Sequence, residues 1–230
     1  MTNLYFLVEG KKSEAKVYPA WLSYLLPELQ RVSAPDEVDQ RNYYFVSAEG
    51  YPSIIYQHTP NAVEDIRLSG RYQYLVVCLD AEEQTVQEVR DEVSQFFQAE
   101  RIELGNTQLV LIVQNRCIET WFLGNRRIYS RNPQHPALAS YTRYYNVSAN
   151  DPELMSKYRD FNTHAQFHSA YLKALFTERN ISYSKNRPGH VLDQRYFDQL
   201  LARIRAKPQH LSTFRNFIEF CSLLRPKLYV

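Results

Sequence analysis

Two acidic residues stand directly behind short apolar runs. Glu9 follows Leu4-Tyr5-Phe6-Leu7-Val8, and Asp80 follows Tyr74-Leu75-Val76-Val77-Cys78-Leu79. Glu82 lies two residues further on, in Asp80-Ala81-Glu82-Glu83. Carboxylates brought from different strand ends to one point suit a hard divalent cation such as Mg²⁺ or Mn²⁺, which takes few carboxylates and keeps waters or phosphate oxygens. Phosphodiester cleavage with such an ion needs a polarised phosphoryl oxygen, an activated water and a stabilised leaving oxygen. In an extended Asp-x-Glu tip, side chains two residues apart can point the same way. The plainer reading is that strand-end acids cap the helices that follow, because carboxylates favour helix N-termini.

The elements that would position these acids follow from apolar periodicity. Leu4–Val8, Tyr43–Val46, Tyr74–Leu79 and Leu109–Val113 read as strands. Ser13–Leu29, with Ser13 as N-cap and Pro19 shifting the start, reads as a helix, and so does Glu83–Glu103. Ser53–Leu68 is helical in pattern but interrupted by Pro60. Strands alternating with helices predict an α/β fold with a mainly parallel sheet, and such sheets gather functional groups at the carboxyl ends of their strands. From about Ile128 the strand signal is lost. Helical patterns over 152–158, 164–179, 194–207 and 211–224 predict a C-terminal helical appendage. The expected division is an α/β domain at 1–125 and a basic, mainly helical region at 126–230 packed on it.

Charge is unevenly spread. Residues 1–119 carry 10 basic and 18 acidic side chains, whereas 120–230 carry 17 and 7. A basic half suits a polyanion, or simply solvated helix faces. Lys11, Lys12, Arg187, Arg203 and Arg205 are the candidate phosphate contacts. Three widely spaced cysteines form no metal or disulfide pattern, which fits a reducing, cytoplasmic setting. No apolar run is long enough to span a bilayer, and the N-terminus does not read as a signal peptide. His164 and His168 are an i, i+4 pair expected to be structural. Trp121 reads as core. Glu119 lies in the apolar stretch Ile118–Leu123 and should meet a metal, an arginine or a helix terminus, because acids are seldom buried unpartnered.

An apolar strand ending in Glu-Gly, followed by a strand ending in Asp-x-Asp or Asp-x-Glu, resembles the Toprim signature. Glu9-Gly10-Lys11-Lys12-Ser13-Glu14 is similar to the start of OLD-family nucleases and of small Toprim-like proteins of bacterial defence loci. Ile118-Glu119-Thr120-Trp121-Phe122-Leu123 is similar to an acidic-x-Trp segment of the latter, and Tyr183-Ser184-Lys185 to a Tyr-x-Lys step near their end. The departure is Glu82 where many Toprim proteins have Asp. The resemblance implies a Toprim-like fold and a metal-dependent nuclease using Mg²⁺ or Mn²⁺, with Glu9, Asp80, Glu82 and Lys185 catalytic. Glu9, Asp80 and Glu82 would hold metal, joined by Glu14 and Glu119. Lys185 would neutralise charge on the transition-state phosphate. With no phosphate-loop motif in the chain, the resemblance also implies a separate ABC-type ATPase partner in antiviral defence. A homo-oligomer is compatible with this reading. The alternative is a non-catalytic Toprim-scaffold subunit that binds nucleic acid or a partner protein.

Overall fold

A strand made only of apolar and aromatic residues has no face to offer water and must be covered on both sides. This is the state of β1 (Leu4–Val8), whose five residues are all buried, and of β4 (Tyr74–Asp80), buried through Leu79. The computed structural model describes residues 2–228. Its core element is a five-stranded, all-parallel sheet in the order β2-β3-β1-β4-β5, flanked by helices, with β2 at Gln30–Val32, β3 at Asn42–Ser47 and β5 at Gln108–Gln114. β1 lies between β3 and β4, with Val8 opposite Ser47 on one side and Cys78 on the other. The expected α/β parallel sheet is therefore present. β2 is short, polar and largely exposed, so it carries no apolar signal.

The chain forms two compact units. One comprises 1–79, 86–113 and 216–230; the other comprises 80–85 and 114–215. The expected single division at 125/126 is not how the chain separates, because both units are assembled from non-contiguous segments.

In the first unit, α1 (Glu14–Leu25) buries Val17, Tyr18, Trp21, Leu22 and Leu25. Pro19 was expected to shift the helix start, yet the helix begins at Glu14 and runs through it. Each buried apolar side chain contributes about 1.5–3 kcal/mol, and several together outweigh the roughly 3 kcal/mol cost of one interior proline. Pro60 does not interrupt a helix either: it stands in the first turn of α2 (Thr59–Ser69), where no N–H is needed. A wider π-type turn, Ile54–His58, precedes it. α3 is Val86–Ala99. The later part of α8 (Ser212–Leu228) also belongs here: Phe217 packs edge-on against Tyr18 at 5.4 Å, and Phe220 against Tyr74 at 5.6 Å. That stretch is integral to the sheet unit rather than part of an appendage.

The second unit is helical: α4 (Ile118–Phe122), α5 (Pro136–Tyr144), α6 (His164–Thr177), α7 (Gln194–Ala206) and the first turn of α8. α5 has no counterpart in the sequence expectations. α4 is wholly buried. Trp121 is core, as expected; its indole N–H donates to Thr213 Oγ1 at 2.8 Å, and Thr213 in turn donates to buried Glu153. Glu153 also accepts from the Thr213 N–H and the Ser212 hydroxyl, so it caps α8; burial outweighs these bonds and raises its carboxyl above the ordinary range. No described helix is long and apolar enough to cross a membrane.

Candidate carboxylate site

At the end of β1, in the sheet unit, the Glu9 N–H donates to Cys78 O at 3.1 Å. Its side-chain Oε1 accepts from the Tyr51 N–H at 3.2 Å. Gly10 lies beneath the Glu14 carboxylate, the end of a flexible side chain and the group that a Cβ at this position would meet. The Glu14 side chain is thus folded back over the Glu-Gly step and is buried, at 7% exposure. Lys11 makes an exposed ion pair with Glu49, the acid after β3, and that hydrogen bond holds the Glu49 carboxyl below its ordinary value. Lys12 is exposed.

Asp80, Glu82, Glu119 and Lys185 all fall in the helical unit. Asp80 is the last residue of β4 and is half-buried. Beyond it the chain is not extended. The Ala81 N–H donates to Gln114 O and the Glu82 N–H to Arg116 O, both at 2.9 Å. Glu82 then takes a left-handed conformation at φ 46°, as does Arg116 at φ 78°. The period-two alternation that would aim Asp80 and Glu82 the same way does not hold, and Glu82 is exposed. Arg116 pins this tip, its Nη1 donating to Glu82 O and Gln84 O. Nothing in residue type signals that arginine.

Glu83 was expected to be an acid at the start of α3. Instead it accepts from the His164 N–H at 2.6 Å and lies 2.8 Å from His164 Nδ1, capping the N-terminus of α6. Burial raises its carboxyl pKa, but the His164 hydrogen bonds outweigh this, and the net shift is downward.

Glu119 is completely buried within α4. Its Oε1 accepts from the Tyr183 hydroxyl at 3.0 Å, while Lys185 Nζ stands 3.7 Å from Oε2, which accepts no hydrogen bond. The two ends of the Tyr-x-Lys step therefore reach the acid of the acidic-x-Trp segment, joining two separate features of the sequence. The local reason is a tight turn. The Ser184 and Arg187 backbones bridge each other in antiparallel fashion, leaving Lys185 and Asn186 at the tip. Lys185 remains 45% exposed while its partner is dry. The partner of Glu119 is thus a lysine and a tyrosine, neither the arginine nor the helix terminus considered. Cys117, adjacent in sequence, is held well above its ordinary thiol pKa by burial and by the charges of Glu119 and Asp80.

His168 is structural, as expected. It is buried, with Nδ1 2.8 Å from Thr120 Oγ1 and Nε2 3.0 Å from Met155 O. The carbonyl requires a proton on Nε2, so Nδ1 accepts from the threonine hydroxyl. Burial pushes its pKa down to about 4.

Arg203 corrects a sequence expectation. It is not a phosphate contact but a core residue at 2% exposure. Its guanidinium donates to Val147 O, Asn150 O, Gly124 O and His210 Nδ1. On α7 it shares the inward face with Tyr196, Phe197, Leu200 and Ile204; residue type suggests solvent, but helical spacing places it inside. Burial lowers its pKa to about 10. Arg187 and Arg205 are exposed.

Among the described residues, no three or more His, Cys, Asp or Glu side chains are placed as a ready metal cage. The donors that are present are hard carboxylate oxygens, since both ring nitrogens of the nearby His168 are engaged by Thr120 and Met155 and the Cys117 thiol is buried. Such a set does not suit zinc. An ion such as Mg²⁺ would take one or two carboxylates and complete its shell with water and phosphate. Asp80 is the half-buried carboxylate at the strand end of this unit, whereas Oε2 of Glu119 is closed to water and faces Lys185. No family model, curated protein or solved structure matches the chain.

Proposed function

We propose that the chain is a Toprim-like, Mg²⁺- or Mn²⁺-dependent nuclease that hydrolyses phosphodiester bonds in DNA or RNA. One observation carries this reading: Lys185, presented on an exposed turn, reaches the dry carboxylate of Glu119 in the unit that also holds the strand-end acid Asp80. A half-exposed ammonium beside a buried carboxylate suits a group that can turn to a phosphoryl oxygen when substrate arrives. The divalent ion, when bound, would supply Lewis-acid polarisation of the phosphate and a more acidic water. Hydrolysis adds the water oxygen to phosphorus and releases the leaving oxygen with a proton. Lys185 offsets the negative charge that gathers on the remaining oxygens. Glu9 joins the reading through the sequence resemblance and its place at the carboxyl end of β1. The same resemblance supports a separate ATPase partner and a role in antiviral defence.

Incubating the protein with plasmid and with total RNA, with and without Mn²⁺, tests the reading. Cleavage should need the ion and be lost in Asp80→Ala and Glu9→Ala. Cleavage that survives chelation would sink the metal mechanism.

A second reading, a non-catalytic scaffold that binds nucleic acid or protein, is favoured by one observation: Glu119 already has Tyr183 and Lys185, as a purely structural ion pair would. Normal biological function of an Asp80→Ala/Glu9→Ala double variant would select it.

A further inference from the structure

α5 ends in Arg143 and Tyr144, and the loop before α6 carries Tyr158 and Arg159. With Ser140 these residues line a pocket of about 360 Å³ inside the helical unit. We propose that this pocket binds single-stranded nucleic acid, taking an unstacked base on its tyrosine rings and the neighbouring phosphates on its two guanidinium groups. The choice of polymer rests on the nuclease reading; the site itself stands on the following geometry.

Tyr144 is exposed and Tyr158 half-buried, and both rings are held. Tyr144 is 41% exposed. Its hydroxyl donates to Lys157 O at 3.1 Å, and its ring centre lies 5.0 Å from that of Tyr158. Tyr158 stacks on fully buried Phe167 at 5.6 Å with an interplanar angle of 30°, which fixes its plane from behind. An anchored aromatic surface open to solvent is what base stacking uses, and it works with any base because every base has a π-face.

The cations are uncommitted. Arg143 makes no hydrogen bond or ion pair among the described residues. Arg159 is engaged only with the Tyr158 ring, its guanidinium carbon 4.9 Å from the centroid. That stacking leaves its N–H fork in plane and available for a phosphate. No carboxylate lines the pocket; Asp160, next to Arg159 in sequence, is the acid closest along the chain. A flat apolar ring surface beside two free guanidinium groups matches a ligand that is both aromatic and anionic. A duplex keeps its base faces stacked and cannot offer one, so the strand must be single.

The test is fluorescence anisotropy with short labelled single strands, DNA and RNA in parallel, in EDTA so that no cleavage occurs. Tyr144→Ala should weaken binding about tenfold, whereas Tyr144→Phe, which keeps the ring, should bind within about twofold of wild type. The exposed pair Arg143→Ala/Arg159→Ala should flatten the log–log salt dependence by about 1.4, from roughly 0.7 for each phosphate that is no longer neutralised. Unchanged affinity and salt slope in these variants would overturn the proposal. So would equal affinity for a blunt duplex, or binding of a tyrosine-phosphorylated peptide with none of the oligonucleotides. Intact binding without any cleavage activity overturns only the nuclease reading. Cleavage with binding untouched by these substitutions overturns only this one.

Discussion

Lys185 Nζ stands 3.7 Å from Oε2 of Glu119, a carboxylate with no exposure to water, while the lysine itself is nearly half exposed. The pair is lopsided. Removing the acid leaves the Tyr183 hydroxyl without its acceptor in a closed space, and removing the lysine takes from the buried carboxylate its cation.

Lys185→Ala should therefore destabilise the fold by about 1–2 kcal/mol, below the roughly 3–5 kcal/mol for fully buried pairs because solvent screens the ammonium. Under the nuclease reading it should also lower cleavage by about 100-fold. Urea unfolding and single-turnover cleavage measure the two separately. A scaffold role predicts the first loss and no cleavage to lose.

Arg203→Ala should cost about 3 kcal/mol or more, since it opens a cavity and leaves the carbonyls of Val147, Asn150 and Gly124 without their donor. Arg203→Lys should rescue little, because one ammonium cannot reproduce the fork. Exposed Arg205→Ala should leave stability within about 0.5 kcal/mol. Denaturant midpoints of the three variants decide this.

His168 sets an acid limit. It is neutral when folded, with a pKa of about 4 against about 6.5 when unfolded. Its contribution is complete above the unfolded value and fades as pH falls through the folded one. Stability should drop by about 2 kcal/mol between about pH 7 and pH 5 from this residue. His168→Gln should be less stable at pH 7 but show a shallower decline, readable from urea curves at the two pH values.

Gly10→Ala should cost no more than about 1 kcal/mol, because the atoms nearest its Cβ are the end of the flexible Glu14 side chain, which can turn aside. Gly10→Ala/Glu14→Ala should cost less than the sum of the single changes. A double-mutant cycle by thermal unfolding gives the coupling directly.

The sheet is legible because β1 and β4 are buried on both faces and so are written in unbroken apolar residues. β2 is polar at an edge, and α5 is short with one buried residue, Leu138, so neither offers a run of core residues to read. Glu119 is marked by its apolar neighbours and Lys185 by its step from Tyr183, yet no spacing rule joins residues so far apart. The Asp80–Glu82 tip departs from expectation for a local reason: left-handed backbone at Glu82 and Arg116 occurs at residue types that do not announce it. Arg203 departs because its helical position outweighs its charge.

The interleaving of the two units has a consequence for synthesis on the ribosome. Residues 1–79 emerge first, and 86–113 follow only after 80–85 has been committed to the other unit. The sheet unit then waits through all of 114–215 for Phe217 and Phe220 to reach Tyr18 and Tyr74. At translation rates of roughly 5–20 residues per second, an incompletely covered parallel sheet persists for about 5–20 seconds. During that interval the nascent chain exposes apolar surface that a chaperone would recognise.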